Sequence, residues 1–160
     1  MSKNNREHKE FGVYLGLGSN LGDRKSHILR ALETIESHSE TKVICATELM
    51  ETEPWGPVKQ PSFLNAVVKI ETSLQPLPLL RLLKSVELRL GREPGAIRWG
   101  PRIIDIDILI FENLVIDTAE LTIPHARMTE RRFVLQQLLE LDSGLIDPRS
   151  GVLLREFLRI

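Results

Sequence analysis

Hydrophobic positions along the chain switch between a two-residue and a helical period. Residues 11–17 are a short apolar run closed by Gly18-Ser-Asn-Leu-Gly22, which predicts a strand entering a tight turn. A helix follows, because Asp23 suits an N-cap and Ile28, Leu32 and Ile35 fall on one face until the pattern dies in Ser37-His-Ser-Glu40. Val43, Cys45 and Thr47 then alternate with Ile44, Ala46 and Glu48, the period of a strand. The strand ends before Glu53-Pro-Trp-Gly-Pro-Val-Lys-Gln-Pro61, a loop whose prolines and glycine exclude regular structure and which carries Trp55. Residues 63–71 read as a strand, and residues 76–89 as a helix with Leu79, Leu80, Leu83, Val86 and Leu90 on its buried stripe and Gly91 closing it. After a loop over 92–102 come an apolar strand, a turn around Glu112-Asn113, a short return strand over 114–117, and a last helix from about 130 to 141.

The order is βαββαβ, then a hairpin, then a helix. That is the order of a ferredoxin-like core, so the fold class expected is α+β. It has a mostly antiparallel sheet flanked by helices, an added β-hairpin and a C-terminal helix, with the first and last core strands near the centre. At 160 residues, 42% hydrophobic and 27% charged, the chain suits a single domain over 11–160 behind a flexible polar tail, 1–10. The tail lacks an apolar leader segment and no stretch approaches a membrane span, so a cytoplasmic protein without a membrane partner is expected. The single Cys45 lies in an apolar alternating run and is expected to be a buried structural thiol.

Chemistry concentrates in Arg98-Trp-Gly-Pro-Arg102 and the strand Ile103-Ile-Asp-Ile-Asp-Ile-Leu-Ile110. Asp105 and Asp107 point the same way, about 6–7 Å apart along the strand, with Ile104, Ile106 and Ile108 on the other face. Aspartate is a poor strand former and two like charges repel there, so the pair makes most sense beneath a cation. A solvated strand face would be the plainer explanation, but Ile103, Leu109, Ile110 and Phe111 spread apolarity over both faces. Oxygen-only ligands suit magnesium, which takes one or two carboxylates plus substrate phosphates. Arg98 and Arg102 offer fork-shaped donors to phosphate oxygens, which points to phosphoryl chemistry.

Two other features carry less. Gly16-Leu-Gly-Ser-Asn-Leu follows a strand and opens a helix, but the third glycine of a dinucleotide fingerprint is missing, so a Rossmann site is rejected. His8, His27 and His38 are expected to be solvated. His125, in Thr122-Ile-Pro-His125, is equally compatible with a structural role and with a phosphate ligand.

The segments Tyr14-Leu-Gly-Leu-Gly-Ser-Asn-Leu-Gly22, Thr52-Glu-Pro-Trp-Gly-Pro57, Gln60-Pro-Ser-Phe-Leu-Asn65, Gly91-Arg92, Arg98 to Asp107, and Ile123-Pro-His125 with Arg131 and Phe133 occur in one order. Together they resemble the 6-hydroxymethyl-7,8-dihydropterin pyrophosphokinase family of folate biosynthesis, over residues 14 to about 141. The resemblance implies transfer of diphosphate from ATP to the pterin hydroxymethyl group with release of AMP. By the same resemblance, Asp105 and Asp107 hold two magnesium ions and Arg92 and Arg102 are the catalytic arginines. Glu87, Arg98, Trp99, Ile108, Thr122, His125 and Arg131 are implied to contact ATP. Phe63 and Phe133 are implied to stack on the pterin, with Asn65 on its edge and Thr52 and Trp55 completing the slot. The expected partners are these two small molecules, and the chain is expected to be a monomer.

Two rivals come from other classes. A catalytically silent ferredoxin-like nucleotide-binding module fits the fold, although it has no need of paired carboxylates beside arginines. A metal-dependent phosphohydrolase would consume ATP without pterin. Nucleic-acid binding fits badly, since only 5% of residues are aromatic and the net charge is -1.

Overall fold

The computed structural model of the chain describes residues 9–54, 56–93 and 100–159, so His8, Trp55, Arg98 and Trp99 and most of the expected tail lie outside the described residues. Strand β1 (Phe11–Ser19) leads into helix α1 (Arg24–Glu36), whose start is fixed by the Asp23 side chain accepting the Ser26 backbone N–H at 3.1 Å. Strands β2 (Thr41–Ala46), β3 (Met50–Thr52) and β4 (Phe63–Thr72) follow, then helix α2 (Pro76–Arg89). Prolines in the first turn of α2 give up N–H groups that would have had no partner there, and Gly91, at φ +105°, takes the left-handed turn that ends it. Strand β5 (Asp105–Phe111) is followed by β6 (Ile116–Asp117), β7 (Thr122–Ile123), α3 (Arg132–Leu141) and a terminal 3₁₀ helix (Leu154–Arg159).

The main sheet is antiparallel in the order β2-β4-β1-β5, with β3 also paired to β4. This is the ferredoxin-like arrangement expected, with one correction. The central strands are β1 and β4, and β5 lies at the end of the sheet. Its apolar faces mimic a central strand because both are covered, and its outer edge is served by other groups. Ile106 donates its N–H to Glu87 Oε1 at 3.4 Å, and the Leu109 carbonyl accepts from the His125 backbone N–H at 2.9 Å. The added hairpin also differs. After the turn at Glu112 (φ +49°) the chain leaves the sheet, and β6 pairs with β7 rather than returning along β5.

Helices α1 and α2 bury Ile28, Ile35, Leu79 and Leu83 against Val13, Leu15, Val68, Ile106 and Phe111 on one face of the sheet. On the other face, α3 and the 3₁₀ helix close a second core of Tyr14, Val67, Leu109, Leu135, Leu138 and Leu154. Cys45 is exposed, not buried, because it lies on the edge strand β2 just past a bulge that breaks the pairing between Val43 and Cys45. His27 and His38 are half-buried rather than solvated, and His38 Nδ1 accepts the Glu40 N–H at 3.2 Å.

Candidate active site

The site lies on the α3 side of the sheet, where two residue rows cross the strands. Asp105 on β5 is the register partner of Gly18 on β1, which is in turn the partner of Asn65 on β4. One step along the strands, Asp107 partners Gly16, and Gly16 partners Val67. Each carboxylate is thus followed by a glycine, so the central strand presents no side chain between the acidic pair and the β4 residues. A side chain at position 18 would collide with its neighbour, since a Cβ there would lie 2.9 Å from Asn65 Oδ1. The glycines share the two-residue spacing of the aspartates, a signal present in the sequence but first seen there as half of a rejected dinucleotide motif.

Above these rows is a cleft of about 350 Å³. Its lining includes Thr52, Phe63, Asn65, Arg102, Asp105, Asp107, His125, Arg131 and Phe133 from the sequence-based set. Glu87 and Arg92 stand behind the carboxylates, Thr122 is half-buried on β7, and Ile108, 4% exposed, turns into the opposite core. Sequence reasoning missed Gly16, Gly18, Arg127 and Gln137, which also line the cleft. Arg127 lies two residues past His125, and Gln137 is a polar residue on the apolar stripe of α3.

Charge in the cleft is arranged asymmetrically. Arg92 Nη1 and Arg102 Nη1 each approach Asp105 Oδ1 at 3.0 Å, and Arg92 also donates to Glu87, whose side chain is 2% exposed. Burial alone would raise the Asp105 carboxyl, but Arg102 and Arg92 outweigh it and hold the group below the usual carboxylate range. Asp107 goes the other way. Burial, then the neighbouring Asp105 charge, push it up to about 7. His125 Nε2 lies 3.8 Å from Asp107 Oδ2, and burial followed by the Arg131 charge lowers the imidazole below its ordinary value, so it is neutral at pH 7.

The β3–β4 wall of the cleft is held separately. Asn65 Nδ2 donates to Thr52 Oγ1, which fixes the amide across the β3–β4 pairing. Asn20, 2% exposed, ties Gln60 and Pro61 to Arg102, donating to Gln60 Oε1 at 2.8 Å and the Pro61 carbonyl at 3.0 Å while accepting the Arg102 N–H at 2.7 Å. Among the described residues no group of three or more His, Cys, Asp or Glu could cage a metal. Two carboxylates, one of them raised by burial and by its like-charged neighbour, suit a cation that completes its shell with water and phosphate oxygens.

Residues 14–143 match the family described as 7,8-dihydro-6-hydroxymethylpterin-pyrophosphokinase (HPPK). The chain is 45% identical over 145 residues to the 2-amino-4-hydroxy-6-hydroxymethyldihydropteridine pyrophosphokinase of Aquifex aeolicus, covering 91% of this chain and 89% of that one. It is 44% identical to the protein of the same name from Bacillus subtilis, over 81% of this chain and 77% of that one. Among solved structures, the wild-type HPPK-DHPS of Plasmodium falciparum with SDX-DHP aligns with a TM-score of 0.75 at 18% identity. That alignment covers 94% of this chain and 44% of the solved chain, and shows likeness of fold. No helix among the described residues is long and apolar enough to cross a membrane.

Proposed function

The chain belongs to the 7,8-dihydro-6-hydroxymethylpterin-pyrophosphokinase family and is an ATP-dependent diphosphotransferase of folate biosynthesis, and from that premise we propose that the cleft over Asp105 and Asp107 is where its two substrates react. One observation carries the assignment: a single glycine strand separates the acidic pair from Asn65, in the row Asp105–Gly18–Asn65. With strands about 4.8 Å apart, that row spans about 10 Å, enough for a flat heterocycle lying across the glycines with its hydroxymethyl arm toward the carboxylates.

In this reading Phe63 and Phe133 stack on the pterin, Asn65 reads its polar edge, and Thr52, held by the Asn65 amide, completes the recognition, a role also assigned to Trp55. Asp105 and Asp107 would hold two magnesium ions. When bound, these ions supply charge neutralisation at the phosphate oxygens. The pterin hydroxyl oxygen bonds to the β-phosphorus as the bond to the α–β bridging oxygen breaks. AMP leaves with that oxygen, and the hydroxyl proton is lost to solvent.

The arginines take part by exchange of partners. Arg92 and Arg102 both lean on Asp105 Oδ1, which holds their guanidinium groups beside the site, where they would turn to phosphate oxygens. Glu87 keeps Arg92 beside the site during that exchange. His125, neutral at pH 7 and near Asp107, is suited to donate a hydrogen bond to phosphate, with Arg98, Trp99, Thr122, Arg131 and the backbone at Ile108 assigned to the rest of ATP. The enzyme is assigned to the cytoplasm, as a monomer acting on these small molecules.

Incubation with ATP and magnesium, with and without 6-hydroxymethyl-7,8-dihydropterin, tests the reading when AMP, ADP and pterin diphosphate are resolved by chromatography. AMP and pterin diphosphate should appear together and only with pterin present. ADP or free phosphate without pterin would mark a phosphohydrolase, and absence of turnover would leave a silent nucleotide-binding module.

A further inference from the structure

Gln137 is 1% exposed, yet it stands on the apolar stripe of α3 among Val134, Leu135 and Leu138. Packing gives no reason for an amide there, because a methionine or leucine would fill the space without the cost of burying a polar group. Its hydrogen bonds explain the choice. Gln137 Nε2 donates to the Asn65 carbonyl at 3.1 Å and lies 3.4 Å from both the Glu48 carbonyl and Thr47 Oγ1. All three are acceptors for a donor, and they belong to β4 and to the β2–β3 connection. Thr47 Oγ1 in turn accepts the Val67 N–H at 2.9 Å, so the web grips β4 on both sides of Ala66.

Gln137 also lies one helical turn after Phe133, on the same face of α3, and both line the cleft. The amide is therefore a strut. One end is fixed to the helix that carries one wall of the slot, and the other to the backbone of the residue that forms its polar floor. We infer that Gln137 is a positioning residue that sets the gap between the Phe133 ring and Asn65, and so determines affinity for the flat heterocyclic substrate without touching ATP. The inference rests on the assignment of Phe133 and Asn65 to the pterin.

Dissociation constants for 6-hydroxymethylpterin and, separately, for the magnesium complex of a non-hydrolysable ATP analogue test it in Gln137→Met, Gln137→Glu, Asn65→Ala and Phe133→Ala, with melting temperatures alongside. Methionine keeps the bulk and loses the donor, so pterin affinity should fall about tenfold, the loss of a net hydrogen bond's worth, while the nucleotide constant stays within about twofold. Glutamate has the same size but sets a carboxylate against two carbonyl oxygens, and should weaken pterin more than methionine does. A volume-filling role would make the two variants alike, and that result overturns the inference. So does a parallel loss of both ligands with a lowered melting temperature, or unchanged pterin affinity in both Gln137 variants while Asn65→Ala and Phe133→Ala bind poorly. If Asn65→Ala and Phe133→Ala themselves bind pterin as the parent does, the assignment of the slot fails and the role of Gln137 falls with it.

Discussion

Asp105 and Asp107 share a strand and a face, but they are held differently. Two arginines neutralise the first, while the second is left near neutrality of its own accord, with a carboxyl at about 7 raised by burial and by its neighbour. The raised value means that the folded protein favours protonated Asp107, so the residue costs stability as pH climbs from about 4 to 7 and costs most above 7. Asp107→Asn should therefore melt higher than the parent at pH 8 in the absence of metal. Its carboxyl is 34% exposed, and solvent there limits the gain to about 1 kcal/mol, or roughly 2–4 °C. The advantage should shrink as pH falls from 7 toward 4, by differential scanning fluorimetry. The same substitution should lower diphosphate transfer by roughly two to three orders of magnitude, in a fixed-time assay of AMP formation. On the role proposed for Asp107, magnesium needs the ionised carboxylate, so calorimetric titration of the metal-free protein should show affinity rising about tenfold per pH unit below 7 and levelling off near pH 8.

At the scale of elements, the glycine strand is the part whose substitution is most informative. Gly18→Ala puts a methyl 2.9 Å from Asn65 Oδ1, and Asn65 is already committed to Thr52, so the amide has to move. Fluorescence titration should show pterin bound about tenfold more weakly, with the ATP analogue little affected. Helices α1 and α2, the strands β1 and β4 and the Asp-x-Asp of β5 were all legible in the sequence, because each announces itself by period and by cap or breaker residues within its own span. Less legible were features set by distant segments. The apolar faces of β5 do not reveal that its outer edge meets a carboxylate and a loop, and the residues of β6 do not say that they pair with β7. Cys45 has the alternation of a buried strand, and only the sheet order and the bulge expose it. Gln137 is, in sequence, one polar position on a helix, and its meaning lies in acceptors some 70 to 90 residues away.

Over the whole molecule, two cores on opposite faces of one sheet divide the work. The α1–α2 side holds the acidic strand from below, while the α3 side carries the cleft and closes with the 3₁₀ helix. The family match ends at residue 143, but Leu154, fully buried, belongs to that second core. Leu154→Ala should lower the unfolding free energy by about 2–4 kcal/mol in urea titrations, the usual cost of a cavity at a buried leucine. The edge position of β5 reaches further than packing. Since the Ile106 amide is bonded to the Glu87 carboxylate and not to a neighbouring strand, it can trade its proton for solvent deuterium whenever that side chain swings aside, with the sheet still intact. Its exchange rate is then a clock for the Glu87–Arg92–Asp105 chain of charges, running on local openings and independent of the slower unfolding that times the amides between β1 and β4.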